Sequence, residues 1–438
     1  MNTRTTTRRV LTASLLMPAA LGTVVTPRAA AHGEESQERF LYVSTVAQSD
    51  TDPDFIAVIG ADPQQSDFGE IVNRVDMPNV GDELHHFGYS ADQQRLIVPG
   101  LFSNRIHVFD VGGDGSTLTL SAVNEDLVAD SGYAVPHGVM AMHDMVLAPM
   151  IGAANDQTQP GGIVEIDDRT GEFVDYFGPG PERDATESGP TYMYDFAMTP
   201  DAERAISTTF GSPALCAPGI DPACLGDEVA VWDVHAEEVI HTENLGTNSG
   251  ALMVRIVTQP GVRRAFINAP GTSAVWLAAD DDGDGVFEFQ QVLGADDGLE
   301  LPIDMVVSYD STNLFVTNWF GNTVQQFDIT DPFNPTLQST VSVPHPNMLR
   351  LSRDNSRLYV TNSLLTPWDN DADFGEPRNS DYGIWLFEVS ASGDLEALHP
   401  DGSPWVSFDN VDKQTTTGPA GPHMMMFDPS VPLEEGEH

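Results

Sequence analysis

Basic residues are scarce in this chain. Its 438 residues hold 19 Lys and Arg against 66 Asp and Glu, and Lys413 is the only lysine. A surface that acidic repels phosphate backbones and anionic headgroups, which argues against nucleic acid and anionic lipid as partners. Cysteine is nearly missing as well, with only Cys216 and Cys224, in ALCAPGIDPACLGD. That spacing rules out a C-x-x-C redox pair; in an oxidising compartment the two close a small loop as a disulfide, with a thiolate site as the alternative. After residue 31 no stretch supplies the ~18 consecutive apolar residues that a membrane helix needs. Long segments of helical periodicity are also lacking. So are a P-loop, a dinucleotide fingerprint and a nucleophile elbow in a strand-turn-helix setting, which removes the commonest nucleotide and acyl-transfer chemistries.

What the chain does have begins with a leader. Arg8 and Arg9 stand in TTTRRVLTASLL, an apolar stretch runs from Val10 to Val25, and Ala29, Ala30 and Ala31 precede His32. This reads as an export signal over residues 1–31, of the twin-arginine kind or an ordinary secretory one that happens to carry two arginines. Residues 32–438 are expected to be a single exported domain, periplasmic or extracellular, with EEGEH as a disordered tail. The charge alone would suit a disordered chain. However, 40% of residues are hydrophobic and the acids scatter through loops, which fits a folded, salt-adapted protein.

Short β-branched and aromatic runs dominate: FLYVSTV, DFIAVIG, RLIVPGL, GGIVEID, EVAVWDV, NLFVTNW, RLYVTNS, YGIWLFEV. Gly, Asn, Asp and Pro clusters separate them, which marks strands and turns. Seven apolar inner strands open on one polar or sulfur-bearing residue: His86, His137, Asp195, Arg255, Asp304, Met348 and His423. The steps between them are 51, 58, 60, 49, 44 and 75 residues. Four strands per unit at a period near 50 predict an all-β, seven-bladed propeller. No strands remain after HMMMFDP, whereas three candidates (40–46, 54–60, 70–75) precede His86. The last strand is therefore expected to join the first three and close the ring.

Closure makes His423, His86 and His137 neighbours. Three neutral imidazoles converging on a channel suit copper, zinc or non-haem iron, although channel strands also carry polar residues that only bind water. Asp195 or Asp304 is expected to orient an imidazole from behind, and Arg255 to hold an anion or balance the aspartates. His85 faces the channel together with His86 only if it lies outside the strand, because neighbours in a strand point to opposite faces. His345 is a possible channel cap or a solvated loop histidine. Two weaker candidates exist elsewhere. Asp280, Asp282 and Asp284 before Gly285 resemble the start of a calcium loop, but Gln291 stands where a bidentate Glu belongs. A mature chain beginning at His32 would carry an N-terminal copper chelate.

The stretch MPNVGDELHHFGYS (77–90) resembles the selenium-binding protein family, which includes the methanethiol oxidases. YDF at 194–196, DEVAVWDVHAEEVIHT at 227–242, LFVTNWFGNTVQQFDITDPFNP at 314–335 and NMLRLSRDNSRLYVTNSLLTPWD at 347–369 extend the resemblance over roughly residues 40–429. It implies a seven-bladed propeller that oxidises methanethiol with oxygen and water to formaldehyde, hydrogen sulfide and hydrogen peroxide. It also implies copper held by His85, His86, His137 and His423, with His85 and His86 as the catalytic pair. A non-catalytic metal- or selenium-binding propeller is the alternative. The cysteine that would bind selenium in animal members falls near Gly69 here, and the segment after His137 departs from the family pattern.

Overall fold

Seven antiparallel sheets of four or five strands follow one another along the chain, with one further two-stranded hairpin. The computed structural model describes residues 38–143, 145–154, 160–181, 192–216, 222–259, 261–370, 381–390 and 394–429. The chain divides into residues 1–36 and 37–438. The export signal, the His32 chelate and the EEGEH tail all fall outside the described residues.

The sheets are the blades of a seven-bladed β-propeller. Blade five shows the plan: Pro302–Val307 lies innermost, followed outward by Asn313–Asn318, Thr323–Asp328 and Thr336–Ser342. The two middle strands are buried on both faces because a neighbouring blade covers each side, whereas the outermost strand alternates with solvent. Alternate residues of one strand therefore serve different interblade cores. In blade four Phe266 packs with Leu314 and Val316 of blade five, while its neighbours Ala265 and Ile267 pack with Val229 and Val231 of blade three.

Blade seven closes the ring from both ends of the chain. Its strand order is Ile71–Asp76, Phe55–Gly60, Phe40–Val46 and then Gly421–Phe427. Leu41 pairs with Phe427 and Val46 with Gly421. The Asp428 carboxylate accepts the N–H groups of Arg39 and Phe40 at 3.1 and 3.0 Å, which ties down the chain just before that pairing begins.

The turn after the inner strand repeats a small device in blades one, three, five and six. Ser90, Thr199, Ser308 and Ser352 donate their hydroxyls to Asp92, Asp201, Asp310 and Asp354 at 2.6–2.7 Å. A residue with left-handed backbone completes each turn: Gln93, Ala202, Ser311 and Asn355. Ten residues earlier in the same blades another left-handed residue leads into the inner strand: Glu83, Tyr192, Leu301 and His345. In blade two the corresponding pair, Val135 and His143, is only eight apart. The inner segment of blade two is therefore contracted, and it is split into Tyr133–Pro136 and Met140–Met142, both paired to Met145–Ala153.

That contraction corrects the single ring of seven expected from the sequence. His86, Asp195, Asp304 and Met348 each stand third after a left-handed residue; His137 stands second, the place held by His85, Tyr194, Ile303 and Asn347. The channel thus has two tiers, and His137 belongs with His85.

Candidate metal centre

His85 and His86 lie in an irregular stretch between the bridge at Leu84 and the strand Gly88–Tyr89. The strict alternation of a strand does not bind them there, so both rings enter the channel. Ser44 of blade seven fixes the stretch by donating its hydroxyl to the His85 carbonyl at 2.7 Å. His423 sits within the closing strand, and Thr361 of blade six donates to its carbonyl at 2.7 Å.

Four imidazoles converge. The His85 and His423 rings stack with centroids 3.7 Å apart, His86 and His137 are 4.1 Å apart, and His85 lies 4.9 Å from both His86 and His137. Ligand nitrogens of His85, His86 and His423 lie within 4.8 Å of one another. The sequence reading took His86, His137 and His423 as the core and His85 as a fourth; the geometry groups His85 with His86 and His423 and sets His137 beside His86. All four are buried.

The tautomers follow from the partners. His137 Nδ1 lies 2.8 Å from the Tyr194 carbonyl and His423 Nδ1 lies 2.8 Å from the Ser363 carbonyl. A carbonyl can only accept, so the His137 Nδ1 carries the proton; His423 Nδ1 also lies 2.8 Å from the Asn347 side-chain amide, and it carries the proton when that amide turns its oxygen toward the ring. The Nε2 atoms of both rings are buried without a hydrogen-bond partner among the described residues. An imidazole held through Nδ1–H with a free Nε2 lone pair is the arrangement a metal ligand requires. Burial pushes His85, His86 and His137 well below the usual histidine range and His423 down to about 4, with the neighbouring imidazoles adding to the effect at the first three. The cluster is therefore neutral at neutral pH and offers lone pairs, not charges. The donor set fits copper or zinc.

The aspartates do not orient these imidazoles. Asp195 and Asp304 instead clamp Arg255 between them, at 3.0 and 2.6 Å. Arg255 Nε donates to the Met305 carbonyl at 2.7 Å, while Asp195 accepts Val254 N–H and Asp304 accepts Leu349 N–H. Main-chain carbonyls take over the orienting role because the lower-tier carboxylates are committed to a guanidinium and to the next blade's backbone. Burial pushes the Asp304 carboxyl up, against the opposing pull of Arg255 and the Leu349 N–H. Below this network, Met140, Met305, Met348 and Met424 help line a second cavity of about 120 Å³. Met348 also packs in the apolar cluster that holds Tyr194, Leu252 and Ile303.

Above the imidazoles lies an apolar chamber of about 110 Å³ whose floor includes His85 and His137. Tyr194 also lines it; its ring covers His137 at 3.6 Å and 33°, and its hydroxyl makes no hydrogen bond among the described residues. Sequence reading noticed Tyr194 only inside the YDF block. The signal that could have found it is its place directly before Asp195, as His85 stands directly before His86.

The remaining candidates lie elsewhere. Cys216 and Cys224 form the expected disulfide, and Cys216 touches the chamber wall. No free cysteine remains, and a side chain at Gly69 would press on the Trp405 indole. Selenium therefore has no thiol to bind here. Asp280, Asp282 and Asp284 come together at a hairpin turn between Ala274–Asp280 and Glu288–Leu293. Asp280 is already paired with Arg263 at 3.0 Å, and Gln291 donates to the Leu293 carbonyl within the next strand. The helix-flanked loop of a calcium hand is thus not formed. His345 packs against Trp319 with centroids 5.1 Å apart and does not cap the imidazole cluster. No helix among the described residues is long and apolar enough to cross a membrane.

A family model described as the 56 kDa selenium binding protein matches residues 20–429. A methanethiol oxidase of Danio rerio is 30% identical over 368 residues, covering 72% of this chain and 78% of the relative. Selenium-binding protein 2 of Arabidopsis thaliana is 26% identical over 470 residues, covering 92% of each. A solved structure of a hypothetical selenium-binding protein from Sulfolobus tokodaii superposes with a TM-score of 0.76 at 25% identity, over 89% of this chain and 94% of the other. A periplasmic gluconolactonase of Pseudomonas aeruginosa shares the fold at 13% identity, TM-score 0.60, over 89% of this chain and 98% of its own.

Proposed function

The chain belongs to the 56 kDa selenium-binding protein family, and we propose that it is an exported, copper-dependent oxidase of a small thiol. Relatives such as the Danio rerio and human proteins are named methanethiol oxidases, and the reaction implied by the family resemblance is methanethiol plus oxygen plus water to formaldehyde, hydrogen sulfide and hydrogen peroxide. The carrying observation is the pair of buried, unpartnered Nε2 atoms on His137 and His423, each opposite an Nδ1 that faces a main-chain carbonyl.

His85, His86 and His423 would hold the metal, with His137 beside them. When bound, copper supplies a one-electron couple and a soft seat for sulfur. The chain's own residues do the rest. The chamber's apolar walls take the alkyl group. His137 Nε2 is neutral and free to receive the S–H proton. The Tyr194 hydroxyl, which burial keeps protonated, stands ready to donate a hydrogen bond to an oxygen or sulfur atom in the chamber. The Asp195–Arg255–Asp304 clamp closes the channel beneath. Export is supported by the twin-arginine leader and by the Cys216–Cys224 disulfide, which suits an oxidising compartment.

Elemental analysis of the exported protein together with methanethiol-dependent oxygen uptake tests the proposal. One copper per chain and peroxide formed in step with thiol consumed is the expected result. Copper without oxygen uptake would leave a metal-binding propeller, and absence of stoichiometric metal would remove the centre altogether.

A further inference from the structure

The chamber above the imidazoles is larger and drier than a one-carbon thiol requires. Leu252, Ile303, Leu364 and Trp368 form its walls, and none of its described lining residues carries a charge, in a chain with 66 acidic residues. Its mouth is open, since Phe102 at the rim is 49% exposed, whereas His85 and His137 at the floor are buried. Among the described lining residues, the polar side-chain atoms are those of the two imidazoles, the Tyr194 hydroxyl and the Trp368 indole N–H. A site built this way selects by size and apolarity, because it offers almost nothing that could recognise a carboxylate, an amine or a sugar. An apolar cavity of about 150 Å³ accommodates benzene. The 110 Å³ here corresponds to a chain of roughly four carbons.

From this we infer that the chamber is a specificity pocket for apolar alkyl thiols of about three to five carbons, with the sulfur at the imidazole floor and the chain against Leu252, Ile303 and Trp368. The inference rests on the thiol-oxidase reading for its chemistry but on the cavity alone for its size and polarity. Methanethiol leaves most of the chamber to water against apolar walls. Each further methylene of a longer thiol displaces that water, and three of them improve binding roughly fiftyfold. Cysteine and glutathione are excluded, since their charges would be buried without partners.

Two measurements on the copper-loaded protein test this. In the first, oxygen uptake with 1-butanethiol shows a KM roughly fiftyfold below that for methanethiol, and none is seen with cysteine. In Leu252→Phe or Ile303→Phe, which fill the chamber, the kcat/KM ratio of butanethiol to methanethiol falls at least tenfold. In the second, butyl methyl sulfide, which has the chain but no S–H, quenches tryptophan fluorescence saturably. Sulfide binding without oxidation of any thiol sustains the pocket and sinks the oxidase reading. Oxidation of methanethiol with equal or weaker use of butanethiol and no sulfide binding overturns the pocket. Absence of both overturns both.

Discussion

His85 and His423 lie ring over ring, 3.7 Å apart and 24° from parallel, although they come from opposite ends of the described chain. Blade closure brings them together, and no local sequence motif could. His423→Ala removes one imidazole of the stack while leaving the strand backbone that pairs with Phe40–Val46. Copper content is expected to fall at least tenfold in His423→Ala and in His86→Ala, with the β-sheet circular dichroism unchanged. Near-full copper in both variants would show that the metal sits elsewhere.

The lower tier makes a different prediction. Asp304 is 1% exposed and accepts from Arg255 and from the backbone of the next blade. Asp304→Ala leaves a buried guanidinium with one carboxylate partner in place of two. Urea unfolding should show a loss of about 3–5 kcal/mol, while metal content stays at the parental level. A loss of metal without a loss of stability would contradict the separation of the clamp from the imidazole cluster.

Glu165 faces Asp175 across a strand pair in blade two, with Glu237 nearby, in a position that is 8% exposed. Burial first, and those two carboxylates second, push its carboxyl up to about 7. A raised carboxyl favours the protonated folded state. The stability it contributes is complete below about pH 4.5 and is lost as pH rises to about 7. Glu165→Gln should therefore flatten the stability profile between pH 4.5 and 7, and should be more stable than the parent by about 1–2 kcal/mol at pH 8 after solvent screening. Parallel unfolding curves for the two proteins across this range would rule the assignment out.

Tyr194 holds His137 twice, through its main-chain carbonyl and through its ring. Tyr194→Phe keeps both contacts and deletes only the hydroxyl. Metal content and the KM for oxygen should be unchanged, and kcat with thiol should drop roughly tenfold. An unaltered kcat would remove the hydroxyl from the chemistry.

The propeller was legible because its determinants are local and repeated. Blade after blade rewrites an inner strand and doubly buried middle strands, four of the seven adding a Ser/Thr-x-Asp turn, and the missing strand at one end matched the surplus at the other. His86, Asp195, Asp304 and Met348 share a register for the same reason. His137 was misplaced by one tier because a two-residue contraction, set by the left-handed backbone at Val135, cannot be counted from apolar spacing. The destination of the aspartates was hidden too. Their pairing with Arg255 depends on three blades meeting at one level. The chamber is harder still to foresee, since its walls are loop and strand-end residues from around the ring, each unremarkable in its own segment.

The closing strand also places a clock on the protein. His423 follows His86 by 337 residues, and until it pairs with the strand begun at Phe40 the imidazole set lacks a member. A chain cut short by a few dozen residues would be both unsealed and unable to assemble the centre. The full imidazole set is thereby withheld from any copy that stops before the closing strand.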